Sequence, residues 1–142
     1  MVNLGTRKNS KQRDAILELI RSTSSHPTAQ WVYEKLKPRM PSLSLGTVYR
    51  NINYFRDRGL VVSVGVVGGE ERFDGVVAPH PHLVCGCCGA VLDLPVPDDE
   101  IAELLTRKAG AVDFTIDFRK TILNGLCPRC AERTKTTAAL SR

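Results

Sequence analysis

No stretch of the 142-residue sequence approaches the roughly 18–20 consecutive apolar residues that a membrane-spanning helix needs. Residues 1–25 scatter charges through their apolar positions instead of building the core of a secretory signal. A cytoplasmic protein with no membrane partner is therefore expected. Also missing are a phosphate-binding glycine loop, a nucleophile constellation and the length to fold a sizeable pocket-forming domain, so the chain is read as a non-enzyme. An even set of cysteines is absent too: there are five, and in a chain without a signal peptide an odd count argues against a disulfide framework. Hydrophobic residues at 42% and charged residues at 25% are close to globular averages, which excludes disordered and fibrous classes. The length allows one domain or two small ones.

What is present is unevenly distributed. The net charge is +5, but residues 1–60 carry eleven Lys/Arg against four Asp/Glu, a net +7, which leaves residues 61–142 at −2. Such a split suits a polyanion-binding half joined to a half with another task, although a solvated basic surface would give the same count. All five cysteines lie in the second half: Cys85, Cys87, Cys88, Cys127 and Cys130. Cys85-x-x-Cys88 and Cys127-x-x-Cys130 each place two thiolates at a spacing that can grip one ion, and four thiolates close a tetrahedral Zn²⁺ shell. Gly89 suits the tight turn after the first pair, which favours Cys85 and Cys88 over Cys87. The 38 residues between the pairs are too many for a compact zinc ribbon, so the ion is expected to staple the ends of a small domain.

The chain pattern supplies an α+β fold: an N-terminal winged helix-turn-helix plus a C-terminal α/β dimerisation domain with structural zinc. Ser10 can cap a helix with the apolar stripe Ile16, Leu17, Leu19 and Ile20; Thr28 opens a second with Val32 and Leu36, stopped by Pro38 and Pro41. A third begins at about Ser44, buries Val48, Ile52 and Phe55, shows Arg50, Asn53 and Asp57 on the opposite face, and stops at Gly59. Leu60–Val67, Gly68-Gly69 and Glu70–Asp74 read as a hairpin. Three helices and a hairpin make a winged helix whose third helix enters the major groove. Tyr49 and Arg50 are base-reading candidates, and Arg13, Arg56 and Arg58 phosphate-holding ones; Thr47 and Asn53 complete the predicted DNA-binding set. The expected boundaries are 1–74 for the DNA-binding domain, 75–79 for a hinge, 80–134 for a dimerisation and metal-binding domain, and 135–142 for a flexible tail. Within the third segment, short strands are predicted at 83–84 and 90–94, a break at Pro95-Val96-Pro97, a helix from the cap Asp98 to about Ala109, and a half-buried strand over Val112, Phe114, Ile116 and Phe118. So small a core calls for zinc and dimerisation to supply what packing cannot.

The ordered motifs Gln12-Arg13, His26-Pro27-Thr28-Ala29, Gly46-Thr47-Val48-Tyr49-Arg50-Asn51, Arg72-Phe73-Asp74, His80-x-His82-x-x-Cys85-x-x-Cys88-Gly89 and Cys127-x-x-Cys130 resemble those of the ferric uptake regulator family over nearly the whole chain. The resemblance implies a homodimeric, metal-dependent repressor of double-stranded operator DNA with four-cysteine zinc. It further implies a regulatory site of His26, Asp74, His80, His82 and Asp93. Three imidazoles and two carboxylates form a mixed N/O shell suited to Fe²⁺ or Mn²⁺. These are the only histidines in the chain, and they are divided between its two halves, so one ion would clamp the halves together. Aspartate at both carboxylate positions resembles the peroxide-responsive members, in which iron-bound protein is oxidised at a ligand histidine; His26 and His80 match the sensing positions. Reversible iron-, manganese- and zinc-responsive members remain alternatives. So does a zinc-stapled DNA binder with no regulatory metal, and, in another class, a metal-dependent enzyme built on the same His and Asp residues. Pro79 and Asp117 depart from positions that are ligands in some members, so a third metal site is not carried over.

Overall fold

The computed structural model describes residues 4–94 and 100–140. The chain divides into two compact units, Met1–Val77 and Ala78–Arg142. The division falls inside the 75–79 link.

In the first unit, α1 (Leu4–Ser22), α2 (Ala29–Leu36) and α3 (Leu45–Asp57) precede an antiparallel hairpin of β1 (Val62–Val67) and β2 (Glu70–Asp74). Helix α1 begins six residues before the expected cap Ser10; Arg7 and Lys8 in that extension have good helical propensity, which outweighs Gly5. The other two caps are where the sequence puts them. The Thr28 hydroxyl accepts from the Trp31 amide at 3.0 Å, and the Ser44 hydroxyl from the Thr47 amide at 3.1 Å. Gln12, Ile16 and Ile20 of α1, Val32 and Leu36 of α2, and Val48, Ile52 and Phe55 of α3 are buried, the spacing of one helical face in each case. Gly59, at φ +67°, ends α3 in the left-handed conformation that glycine adopts without penalty. Gly68 and Gly69, both at positive φ, turn the hairpin. From β2, Phe73 enters the helical core and anchors the hairpin to it.

The second unit is built on a three-stranded sheet in the order β4-β3-β5. Strand β3 (His82–Cys85) pairs antiparallel with β4 (Val91–Asp93) and parallel with β5 (Ile122–Gly125). Helix α4 (Glu100–Gly110) carries no buried residue, and α5 (Pro128–Leu140) closes the chain. Three sequence expectations change here. The segment 112–118 is not a strand. The amides of Val112, Asp113 and Phe114 return to the carbonyls of Ala109 and Gly110, Asp113 adopts φ +55°, and Val112 and Phe114 are 75% and 65% exposed. Alternation alone does not make a strand: no described strand pairs with 112–118, and the amides at its start are spent on the turn that follows α4. The second is the tail expected from 135, which is helical to Leu140; within it the Thr134 and Thr136 hydroxyls bond back to the carbonyls of Cys130 and Glu132. The third is strand extent: β4 covers Val91–Asp93 rather than 90–94. The predicted cap Asp98 and the break at Pro95-Val96-Pro97 lie outside the described residues.

Candidate metal centres and nucleic-acid face

The parallel pairing of β3 with β5 sets Cys85 beside Gly125, and the Gly86 amide donates to the Gly125 carbonyl at 2.9 Å. Two residues further on, Cys127 reaches the same end of the sheet, and its amide donates to Cys85 Sγ at 3.3 Å. On the other side of β3 the chain turns at Gly89, φ +72°, with the Gly89 amide bonded to the Cys85 carbonyl; this folds Cys88 back toward Cys85. Pro128 starts α5, so Cys130 sits in its first turn. The Sγ atoms of Cys85, Cys88, Cys127 and Cys130 lie within 4.8 Å of one another, whereas exposed Cys87 is outside the group. The Cys88 and Cys127 sulfurs are 3.8 Å apart. A tetrahedron of Zn–S bonds of about 2.3 Å has edges of about 3.8 Å, so the donor set fits zinc in kind, number and spacing. Backbone amides of Cys127 and Cys88 hold the Cys85 thiol down at about 6. The Cys130 amide favours a Cys127 thiolate, but the neighbouring Cys130 thiol, burial and the Cys88 and Cys85 sulfurs outweigh it and push Cys127 up to about 11. Arg133 donates to Cys130 Sγ at 3.3 Å and offsets part of the charge that four thiolates accumulate.

The same sheet assembles a second set of donors at its other end. The β3–β4 register places His82 directly opposite Asp93, and His80 precedes it by two residues. Asp93 Oδ1 lies 2.8 Å from His80 Nε2 and 3.4 Å from His82 Nε2. His80 Nδ1 is 2.7 Å from the Ala78 carbonyl, which fixes that nitrogen as the N–H donor and leaves Nε2 as the lone-pair side. Two imidazole nitrogens gathered on one carboxylate oxygen are a geometry that a cation satisfies. His82 is inside β3 and almost fully buried.

In the first unit, His26 and Asp74 form a further pair, Nε2 to Oδ2 at 3.3 Å, and both are buried. Asp74 ends β2, and its Oδ1 accepts from the Val76 amide at 2.8 Å, which orients the carboxylate. His26 lies in the loop between α1 and α2 at φ +53°, a conformation rarely taken by a residue with a side chain. A buried, oriented carboxylate and a buried imidazole are donors of the kind a mixed N/O shell uses, and both are residues that the family resemblance singles out.

The DNA-reading candidates separate into two groups. On α3, Tyr49, Arg50 and Asn53 are exposed, and the Arg50 guanidinium donates to Thr47 Oγ1 at 3.0 Å. Arg13 and Arg56, by contrast, are held within the unit. Arg13 donates to Asn51 Oδ1 at 3.0 Å and stacks over the Tyr54 ring, whose neighbourhood also includes Arg58 at 3.5 Å from the ring centroid. Arg56 pairs with Glu71 of β2 at 3.0 Å and so ties α3 to the hairpin. Glu71 and the carbonyl contacts of Arg72 were not legible in advance, because both depend on the hairpin register.

A family model described as the ferric uptake regulator family matches residues 5–121. The chain belongs to this family. Family membership makes it a metalloregulator with an α+β, winged-helix fold, and the thiolate set and the His/Asp residues have the donor chemistry to bind metal ions. Among curated family members, the peroxide operon regulator of Bacillus subtilis is 34% identical over 123 residues, covering 86% of this chain and 83% of that protein. Of solved family structures, the Campylobacter jejuni peroxide stress regulator matches with a TM-score of 0.71 at 28% identity, covering 87% of this chain and 91% of that one. The Helicobacter pylori ferric uptake regulator, described as having three functional metal-binding sites, matches with a TM-score of 0.73 at 16% identity over 85% and 80% of the two chains; at that identity the likeness is one of fold. Among the described residues no helix is long and apolar enough to cross a membrane.

Proposed function

We propose that this chain is a homodimeric repressor that binds double-stranded operator DNA when Fe²⁺ or Mn²⁺ occupies the His/Asp site, and that it responds to peroxide through oxidation of a ligand histidine. Cys85, Cys88, Cys127 and Cys130 hold the structural zinc in this reading; His26, Asp74, His80, His82 and Asp93 hold the regulatory ion; no enzymatic role is assigned. The observation that carries the peroxide reading is the 34% identity to a peroxide operon regulator together with aspartate at both carboxylate positions, Asp74 and Asp93. Bound iron supplies one-electron chemistry toward hydrogen peroxide that manganese does not.

His26 and Asp74 belong to one unit and His80, His82 and Asp93 to the other. Sharing one ion between them makes full coordination available only to an arrangement in which both units contribute. Moving a population from mostly open to mostly closed takes a differential affinity of about 10⁴, which two or three additional ligands can supply. The closed dimer then offers two copies of α3 at a spacing that suits two half-sites. Tyr49, Arg50 and Asn53 read base edges in this proposal, Thr47 orients Arg50, and Arg13, Arg56 and Arg58 approach phosphates.

Two experiments bear on the reading. Arg50→Ala is expected to reduce affinity for a site selected from random duplexes by roughly tenfold or more, with a much smaller loss on non-specific DNA; equal losses would show that Arg50 touches only phosphate. The decisive one is peptide mass analysis of anaerobically Fe²⁺-loaded protein after near-stoichiometric H₂O₂, beside a Mn²⁺-loaded control. A single added oxygen on the peptide carrying His26 or His80, confined to the iron sample, supports peroxide sensing. Iron bound with neither histidine modified makes the chain a reversible regulator, in line with its 26% identity to a zinc-bound manganese uptake regulator over 82% of this chain and 87% of that one.

A further inference from the structure

His26 is the one candidate ligand whose backbone is in the left-handed region, φ +53°, where a β-carbon is disfavoured. Something must therefore over-determine that conformation. In the loop around it, residues 24–28, Pro27 restricts its own φ and disfavours the α region at His26, the Thr28 hydroxyl accepts from the Trp31 amide at the α2 cap, and the Ser25 amide donates to Thr23 Oγ1. Three of its carbonyls are bonded from a distant part of the chain. Arg72 Nε donates to the His26 carbonyl, Arg72 Nη2 donates to the Ser25 carbonyl at 2.8 Å, and the Phe73 amide donates to the Pro27 carbonyl at 3.0 Å. Three consecutive loop carbonyls, at 25, 26 and 27, are thus held by two consecutive residues of β2, and the next residue on that strand is Asp74, the partner of the His26 imidazole.

We infer that Arg72 is a positioning residue for His26: its guanidinium fork holds the left-handed backbone at His26 and so aims the imidazole at Asp74 before any ion arrives. A planar fork with fixed N–H directions suits two adjacent carbonyls, which a lysine ammonium reaches only one or two at a time without fixing their orientation. Because Phe73 is anchored in the helical core and Asp74 is oriented by the Val76 amide, the strand that carries the fork is rigid. The ligand pair is therefore preassembled, and the conformational cost of ordering His26 is met during folding instead of during metal binding.

This inference rests on the regulatory-metal reading, and its test separates the two. Zinc-loaded wild type, Arg72→Ala, Arg72→Lys and His26→Ala are compared by titrating Mn²⁺ and following free Mn²⁺ by paramagnetic resonance, and, without Mn²⁺, by the ¹⁵N shifts of the His26 ring and hydrogen exchange at the Phe73 amide. Removing a group that orients a metal ligand typically costs roughly 10–100-fold in affinity. Arg72→Ala is expected to fall in that range, Arg72→Lys to recover part of it, and the His26 ring shifts and Phe73 protection to change in Arg72→Ala with the thermal midpoint of the second unit unmoved. Wild-type Mn²⁺ affinity and unmoved His26 ring shifts in Arg72→Ala would overturn the inference. Should Arg72→Ala fail to fold, Arg72→Gln keeps a single donor nitrogen and loses the fork; unchanged His26 ring shifts there would overturn it equally. If the wild type binds no Mn²⁺ while the His26 ring shifts still respond to Arg72→Ala, the positioning role stands and the metal reading fails.

Discussion

Cys130→Ser is expected to cost the protein its zinc and, with it, the fold of the second unit. The reason lies in how little else holds that unit. Among its described residues the buried apolar side chains are Val84, Cys85, Val91 and Cys130, and α4 buries none. Two of those four are members of the sulfur cluster. A unit this poor in core is expected to rely on the zinc of the proposed reading, because structural zinc in small domains contributes apparent binding free energies of about 10–16 kcal/mol near neutral pH. Zinc content by mass spectrometry and far-ultraviolet dichroism should fall together in Cys130→Ser. Cys87→Ser serves as the control, since Cys87 is exposed and outside the cluster, and should keep a full complement of zinc. A Cys130→Ser protein that retains both zinc and a cooperative thermal transition for the second unit would show that the cluster does not hold the fold. Acid should act in the same direction. With Cys127 pushed up to about 11, zinc uptake at neutral pH must displace its proton; with Cys85 held at about 6, that thiol adds its own proton competition only once pH falls below about 6. Zinc affinity therefore falls as pH falls, and most steeply once Cys85 is also protonated.

Asp93→Ala is expected to abolish the Mn²⁺ response of DNA binding. Asp93 is the one carboxylate in the second unit's donor set, and the same oxygen faces both His80 and His82. Its loss removes a charged ligand and the group that orders two neutral ones, so regulatory-metal affinity should fall at least roughly 100-fold, in the upper part of what ligand and supporting-group changes produce. Under Mn²⁺ that saturates the wild type, the variant should bind a selected DNA site no better than the metal-free wild type does. Its zinc content and thermal midpoint should be unchanged, because Asp93 is exposed and the cysteines are at the opposite end of β3. Asp117→Ala is the matched control, a carboxylate of the same unit outside both donor groups. Persistence of a full Mn²⁺ response in Asp93→Ala would remove Asp93 from the site and favour a zinc-stapled DNA binder without a regulatory metal.

Local chemistry explains which features were legible. Cap hydroxyls, glycines that need positive φ and the helical spacing of apolar residues act over four or five positions, and so Thr28, Ser44, Gly59, Gly68 and Gly69 could be assigned from order alone. The segment 112–118 went the other way. Its alternation is genuine, but whether alternating residues form a strand is decided by a pairing partner elsewhere in the fold, which no local pattern encodes. The helical course of α5 was likewise missed because helical propensity without an obvious apolar face looks like a tail.

The sequence by itself determined the ligand chemistry: soft thiolates in two C-x-x-C pairs, imidazoles and carboxylates elsewhere, and a basic first half beside an acidic second one. Only the tertiary structure decided which of those groups meet. The parallel register of β5 on β3 brings Cys127 to Cys85 across 41 intervening residues, the antiparallel register of β4 sets Asp93 opposite His82, and β2 carries Arg72 to a loop 46 positions earlier in the chain. Side-chain type is written at each position, but proximity between distant positions arises from strand pairing and core packing, which are properties of the whole fold.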